Sequence, residues 1–247
     1  MPKISFLFAF LVIAGSALVQ DFVEYEKLIY QTPEDTLPYR LLKPQEVKDN
    51  QRYPLVIFLH GSGERGNDNV INLKYIAPLF LQDKNRKEFP CYVLIPQCPA
   101  NERWTYTDWY QEPTEPLSTL MNLIDSLKKN PSIDSKRIYI MGLSMGGYGT
   151  WYLITRFPDT FAAAVPICGG GDWNQAKEIA HVPIWAFHGS DDAVIHPDQT
   201  RIMIKALKKN GGKPKYTEYK KTGHDSWTPA FQEPQLLPWL FKQQLVK

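Results

Sequence analysis

Arg137-Ile-Tyr-Ile-Met-Gly-Leu-Ser-Met-Gly-Gly-Tyr-Gly-Thr-Trp151 is the stretch that decides the fold. Residues 137–141 are β-branched, aromatic and apolar, which predicts a buried strand. Residues 145–157 carry apolar and small side chains at helical spacing, which predicts a helix. Between them Gly142-Leu-Ser-Met-Gly146 reads G-x-S-x-G. A strand that turns sharply into a helix around a serine needs small residues on both sides of it. Strand and helix then approach closely, and the hydroxyl projects at the positive end of the helix, where negative charge is stabilised. Ser144 is therefore the candidate nucleophile. The backbone N–H of Met145 is a candidate donor to an oxyanion forming beside it.

Outward from this turn the pattern repeats as strand, then helix. Strands are predicted at 55–59, 92–96, 161–167, 183–187 and 215–219, and helices at 70–81, 117–127, 198–209 and within 229–245. Gly211-Gly212 closes the helix that ends at 209. Two earlier β-like segments, 22–30 and 37–42, flank a Thr-Pro-Glu-Asp turn. The expected fold class is α/β: a mostly parallel twisted sheet with an antiparallel N-terminal edge and helices on both faces. Such sheets place their sites at the carboxyl ends of the strands.

A serine hydroxyl needs a base to take its proton, and a carboxylate to hold that base. On this scaffold the chain order is Ser, acid, His, which sorts the five histidines. His60 precedes the serine. His181 and His188 precede the best acid candidates, and His196 lies within the same short loop as those acids. His224 remains, in Thr222-Gly-His-Asp-Ser-Trp227 between the last strand and the last helix. The acid belongs in the loop after strand 183–187, His188-Gly-Ser-Asp-Asp-Ala-Val-Ile195, which offers Asp191 and Asp192.

The stretch Asp134 to Trp151 resembles secreted carboxylesterases of the phospholipase/carboxylesterase group, relatives of feruloyl esterases and polyhydroxybutyrate depolymerases in the α/β-hydrolase superfamily. The resemblance extends through Phe161-Ala-Ala-Ala-Val-Pro-Ile-Cys-Gly-Gly-Gly-Asp172 and back to His60-Gly-Ser-Gly-Glu-Arg-Gly66. It implies a catalytic domain over 21–247 and an acyl-enzyme mechanism without cofactor. The family pattern His-Gly-x-x-Asp puts the acid at Asp192, although His196 intervenes before Pro197. It also assigns the second oxyanion donor to Ser62, with Gly63 as the alternative. Glu64 and Arg65 match the family's Gly-Glu-Arg-Gly, equally well read as a solvated loop or local ion pair.

Gly61-Ser-Gly-Glu-Arg-Gly66 also fits the dinucleotide pattern G-x-G-x-x-G. A polar loop rather than a helix follows its second glycine, and an exported chain meets no pool of nicotinamide cofactor, so that reading is rejected. Seven Trp and thirteen Tyr exceed what a small core needs. Trp104, Trp109, Trp173 and Trp227 fall beside strand ends on the catalytic face and are candidate substrate contacts. The resemblance makes the substrate an ester, small or linked to plant cell-wall polysaccharide, with feruloyl or acetyl groups.

Net charge is +2, which offers no attraction to nucleic acid. No His/Cys/carboxylate spacing suggests a metal site. Residues 1–20 read as a signal peptide: Lys3, an apolar run over 4–13, and Ala14-Gly-Ser-Ala17. The run is too short for a membrane span, and the expected location is secreted or periplasmic. Cys91, Cys98 and Cys168 are expected as packed thiols, since the strand between the first two holds them too far apart for a bridge. Two other readings share these features: a serine peptidase of prolyl-oligopeptidase type, and a non-catalytic binding protein on the same scaffold.

Overall fold

The computed structural model describes residues 22–33 and 35–245; the expected signal peptide lies outside them. Eight strands form one sheet in the order β1-β2-β4-β3-β5-β6-β7-β8. They are β1 (Tyr25–Gln31), β2 (Thr36–Leu42), β3 (Tyr53–Leu59), β4 (Tyr92–Pro96), β5 (Ile133–Leu143), β6 (Ala163–Ile167), β7 (Trp185–Gly189) and β8 (Lys215–Tyr219). β1 and β2 pair antiparallel, and β2 joins β4 antiparallel. Every other pairing, from β4 through β3 to β8, is parallel. The antiparallel edge and parallel body are as the sequence pattern implies.

Alternation along each buried strand divides the core in two. Leu55, Ile57 and Leu59 of β3, with Ile138 and Ile140 of β5, face one way. There they meet α3 (Glu115–Leu127), α4 (Met145–Arg156) and α5 (Asp198–Lys209) through Leu120, Leu153 and Met203. Val56, Phe58, Tyr139 and Met141 face the other way, against α1 (Ala77–Leu81) and α7 (Leu236–Leu240) through Ala77, Phe80, Leu236 and Leu240. The short helices α2 (Asp83–Glu88) and α6 (Trp227–Phe231) complete the set.

The structure differs from the sequence pattern in two segments. The helix expected over 70–81 is a 3₁₀ turn at Ile71–Leu73 followed by the five-residue α1. Asn72 is drawn inward there and donates to the Ile95 carbonyl, so this segment bends to feed a strand rather than running straight. The closing helix expected within 229–245 is two short pieces, α6 and α7, because Pro234 interrupts the run and cannot donate a helical hydrogen bond. The three cysteines are free and buried.

The turn from β5 into α4 is the tightest junction among the described residues. Ser144 has φ 52° and ψ −117°, a strained region for any residue with a Cβ. Gly146 lies so close to β3 that a Cβ there would overlap the Leu59 carbonyl. Gly146→Ala is therefore expected to destabilise the protein by about 3 kcal/mol, a steric cost inside a packed junction. Urea unfolding of the variant beside the parent measures it, and an unchanged midpoint would contradict the close approach.

Candidate active site

Three loops at the carboxyl ends of β5, β7 and β8 bring Ser144, Asp192 and His224 together. The Ser144 Oγ lies 2.9 Å from His224 Nε2, and His224 Nδ1 lies 2.7 Å from Asp192 Oδ2. A carboxylate only accepts, so Nδ1 carries the ring hydrogen and Nε2 is left to accept from the serine hydroxyl. The other carboxylate oxygen, Asp192 Oδ1, accepts the backbone N–H groups of Val194 and Ile195, each at 2.9 Å. Asp192 is 3 % exposed. Burial opposes its ionisation, but the hydrogen bonds from His224, Ile195 and Val194 outweigh that and hold its carboxyl below the usual range. Asp191, the alternative acid, is exposed and takes the Ser190 hydroxyl instead, turned away from the histidine.

The other histidines separate as their positions suggest. His181 and His196 are largely exposed beside Asp159 and Asp198. His60 is fully buried: the Cys98 N–H donates to its Nε2 at 3.0 Å, and its Nδ1 donates to the Gly61 carbonyl at 2.6 Å. Burial pulls its pKa down to about 4. His188 is the residue that sequence reasoning underrated. Chain order sets it aside as the base, yet its Nε2 lies 3.2 Å from Asp192 Oδ2. The signal was available, since His188 opens the same His-Gly-x-x-Asp pattern that picks out Asp192.

Met145 opens α4, so its N–H has no acceptor within the helix and faces the serine turn. Ser62 and Gly63 sit in a 3₁₀ turn directly after β3, both exposed. The loop lies against the serine: a Cβ on Gly61 would be 3.7 Å from Ser144 Cβ. Glu64 corrects the expectation of a solvated loop. It is 5 % exposed, and burial raises its pKa against the pull of Lys74 and of the Gly61 and Glu64 N–H groups that its carboxylate accepts. Arg65 donates to the Ser62 and Glu102 carbonyls rather than to an acid.

The four tryptophans divide. Trp104 is wholly buried, donates to the His60 carbonyl at 3.0 Å and packs edge-on to the His60 ring. It is therefore not available to substrate, and that expectation is corrected: an aromatic in a loop after a strand turned inward because its indole N–H completes a buried backbone carbonyl. Trp109 is half-buried and stacks on Tyr148 and Tyr152 of α4. Trp173 is 54 % exposed, just beyond the Gly169-Gly-Gly171 loop. Trp227 is half-buried and stands perpendicular to the His224 ring, 5.4 Å between centroids, with Tyr75 beside it.

Cys168 also approaches the site. Its Sγ, one Asp192 oxygen and one His224 nitrogen lie within 4.8 Å of one another, the one grouping among the described residues that could hold a metal ion. The sequence spacing gave no hint of it, because the three residues come from three loops. Asp192 and His224 are already committed to each other, and burial pushes the Cys168 thiol up to about 12, so the set is poorly suited to a resident cation. A cavity of about 370 Å³ between Arg52, Tyr53, Phe89 and Phe241 lies at the opposite end of the strands and shares no residue with the site.

Two outcomes follow from this geometry. Trp104→Phe is expected to cost about 1–3 kcal/mol in urea unfolding, since it strands a buried carbonyl, and to leave KM within about twofold; a large KM change with unchanged stability would return Trp104 to the substrate. His60 stays neutral in the fold, whereas an unfolded histidine gains its proton near pH 6.5. Its contribution is thus fully present above pH about 6.5 and is withdrawn as pH falls toward about 4. The urea midpoint should fall across that window, and less steeply in His60→Asn; equal slopes would show that His60 is not the group responsible.

Among curated proteins, the chain is 32 % identical over 97 residues to the bifunctional acetylxylan esterase/xylanase XynS20E of Neocallimastix patriciarum, covering 39 % of this chain and 14 % of that one. It is 33 % identical over 124 residues to poly(3-hydroxyalkanoate) depolymerase C of Paucimonas lemoignei, covering 47 % of this chain and 28 % of that one. The crystal structure of a thermostable esterase superposes with TM-score 0.86 and 41 % identity, over 90 % of this chain and 64 % of that one. The chain thus spans less than a third of the two curated relatives and under two thirds of the esterase. Residues 86–234 match the model of the dienelactone hydrolase family, and the chain is a member of that family, with the α/β-hydrolase fold.

Proposed function

We propose that the protein is a serine esterase that works through an acyl-enzyme. The observation that carries this is the continuous chain Ser144 Oγ, His224, Asp192, at 2.9 and 2.7 Å. Ser144 attacks the ester carbonyl as its proton passes to His224 Nε2. Asp192 holds the ring by Nδ1–H and balances the imidazolium that forms. The tetrahedral oxyanion takes the Met145 N–H at the start of α4 and the Ser62 N–H from the loop after β3, with Gly63 the alternative to Ser62. Collapse expels the alcohol, which takes the proton back from His224. Water then repeats the sequence and releases the acid.

The substrate we propose is a short-acyl, acetyl or feruloyl ester of plant cell-wall polysaccharide. The similarity to a protein that is in part an acetylxylan esterase supports the acetyl reading. Exposed Trp173, and Trp109 stacked on Tyr148 of α4, would offer aromatic faces to a phenolic or sugar ring, and Trp227 borders the base. Export, with cleavage of residues 1–20, fits such a substrate. No helix among the described residues is long and apolar enough to cross a membrane.

The test is kcat/KM on methyl ferulate relative to p-nitrophenyl acetate. A comparable or higher value on the ferulate supports an aromatic acyl pocket, and turnover of the acetate alone supports a short-acyl enzyme. Ser144→Ala should lower kcat by about 10⁴-fold or more and abolish labelling by a fluorophosphonate. Undiminished activity would remove Ser144 from the mechanism, and absence of labelling in the parent would favour a binding protein.

A further inference from the structure

His188 is the penultimate residue of β7 and is fully buried. Its ring makes three polar contacts. Nε2 lies 2.9 Å from the Ile195 carbonyl and 3.2 Å from Asp192 Oδ2. Both partners only accept, so Nε2 carries the hydrogen; it donates to the Ile195 carbonyl, and Asp192 Oδ2 stands beside that bond as a close polar contact. Nδ1 faces the Thr200 hydroxyl at 2.8 Å. That hydroxyl, 1 % exposed at the start of α5, has one hydrogen for two acceptors, His188 Nδ1 and the Gly169 carbonyl at 2.7 Å, and stands between them. Gly169 in turn packs against the Gly147 and Tyr148 backbone, in the first turn of α4.

These contacts close a ring. From the Ser144 turn it runs through His224 to Asp192, then through His188 and Thr200 to Gly169, and back to the helix that begins at Ser144. Asp192 Oδ2, the oxygen that holds His224, thereby has a second side-chain N–H 3.2 Å away. Its Oδ1 is fixed by two backbone N–H groups. With three hydrogen bonds from His224, Val194 and Ile195 in place and the His188 Nε2–H beside Oδ2, the carboxylate cannot rotate without breaking at least one buried bond, each costly to leave unmade. We infer that His188 is the positioning residue of the triad: its Nε2–H fixes the Asp192 carboxylate toward His224, and Thr200 ties that acid loop to the loop beneath the nucleophile. His188 stays neutral in this role, because burial lowers its pKa despite the Ile195 carbonyl and Asp192.

The inference rests on the triad reading above, so Ser144→Ala serves as its control. Loss of activity in that control with normal His188 variants would sink this inference alone. Retained activity in the control would sink the triad itself.

The experiment compares His188→Phe, which keeps a ring but no donor, with His188→Gln, whose amide N–H reaches the place of Nε2. Both are assayed for kcat and KM on p-nitrophenyl acetate, and the low-field proton NMR resonance of the His224–Asp192 hydrogen bond is recorded. We expect His188→Phe to lower kcat about 10- to 100-fold with KM within about twofold, the cost of a misplaced catalytic group. Its low-field resonance should move or broaden, and His188→Gln should recover most of kcat. Should His188→Phe fail to fold, Thr200→Val loosens the ring from its far side without touching Asp192, and is expected to lower kcat with KM held and to shift the same resonance. Wild-type kcat and an unmoved resonance in a folded His188→Phe, or in Thr200→Val where that stands in, would overturn the assignment.

Discussion

The contact on which the catalytic face depends is the approach of the first turn of α4 to the end of β3, with the Gly146 backbone against the Leu59 carbonyl. It lets Ser144 hold φ 52°, which lifts the hydroxyl off the sheet toward His224 instead of leaving it along the strand. It also brings the loop after β3, with Ser62 and Gly63, beside the serine. An ordinary side chain at position 146 would push helix and strand apart and separate Ser144 from that loop. The strain at Ser144 is local, and the buried layers on either face of β5 hold it in place.

Several polar groups buried behind this face find partners in one another. The His60 ring joins the Cys98 N–H to the Gly61 carbonyl, and Trp104 takes the remaining His60 carbonyl. These groups are remote from the reacting atoms in role but adjacent in space. They fix the backbone of the loop that lies against Ser144, leaving few conformations open to it.

Much of this was legible in the sequence, for reasons particular to each segment. β4, α5 and β8 run over the residues their patterns predict, because short apolar runs and a clear amphipathic period leave little choice. Ser144, Asp192 and His224 could be selected because the chain order of the scaffold leaves one histidine and two adjacent acids. The structure brings Asp192, not Asp191, to the histidine. What stayed hidden was set by contacts across the chain. Residues 70–81 look helical in period, yet Asn72 bonds to β4 and bends them. Trp104 looks like a loop aromatic, yet a carbonyl 44 residues away draws it inward. His188 reads as strand packing until Asp192, four residues on, folds back over it.

The three thiols carry a consequence of their own. Cys91, Cys98 and Cys168 are buried, and burial raises the pKa of each, so the reactive thiolate is scarce while the fold is intact. The fold thus acts as their antioxidant. Once the chain opens in oxidising surroundings, that protection ends at a stroke. Three exposed thiols cannot all pair within one molecule, and any pair that does form crosslinks positions the native sheet keeps apart. Unfolding then becomes a one-way passage, and the lifetime of the protein outside reducing surroundings is governed by the rate at which it first opens rather than by its equilibrium stability.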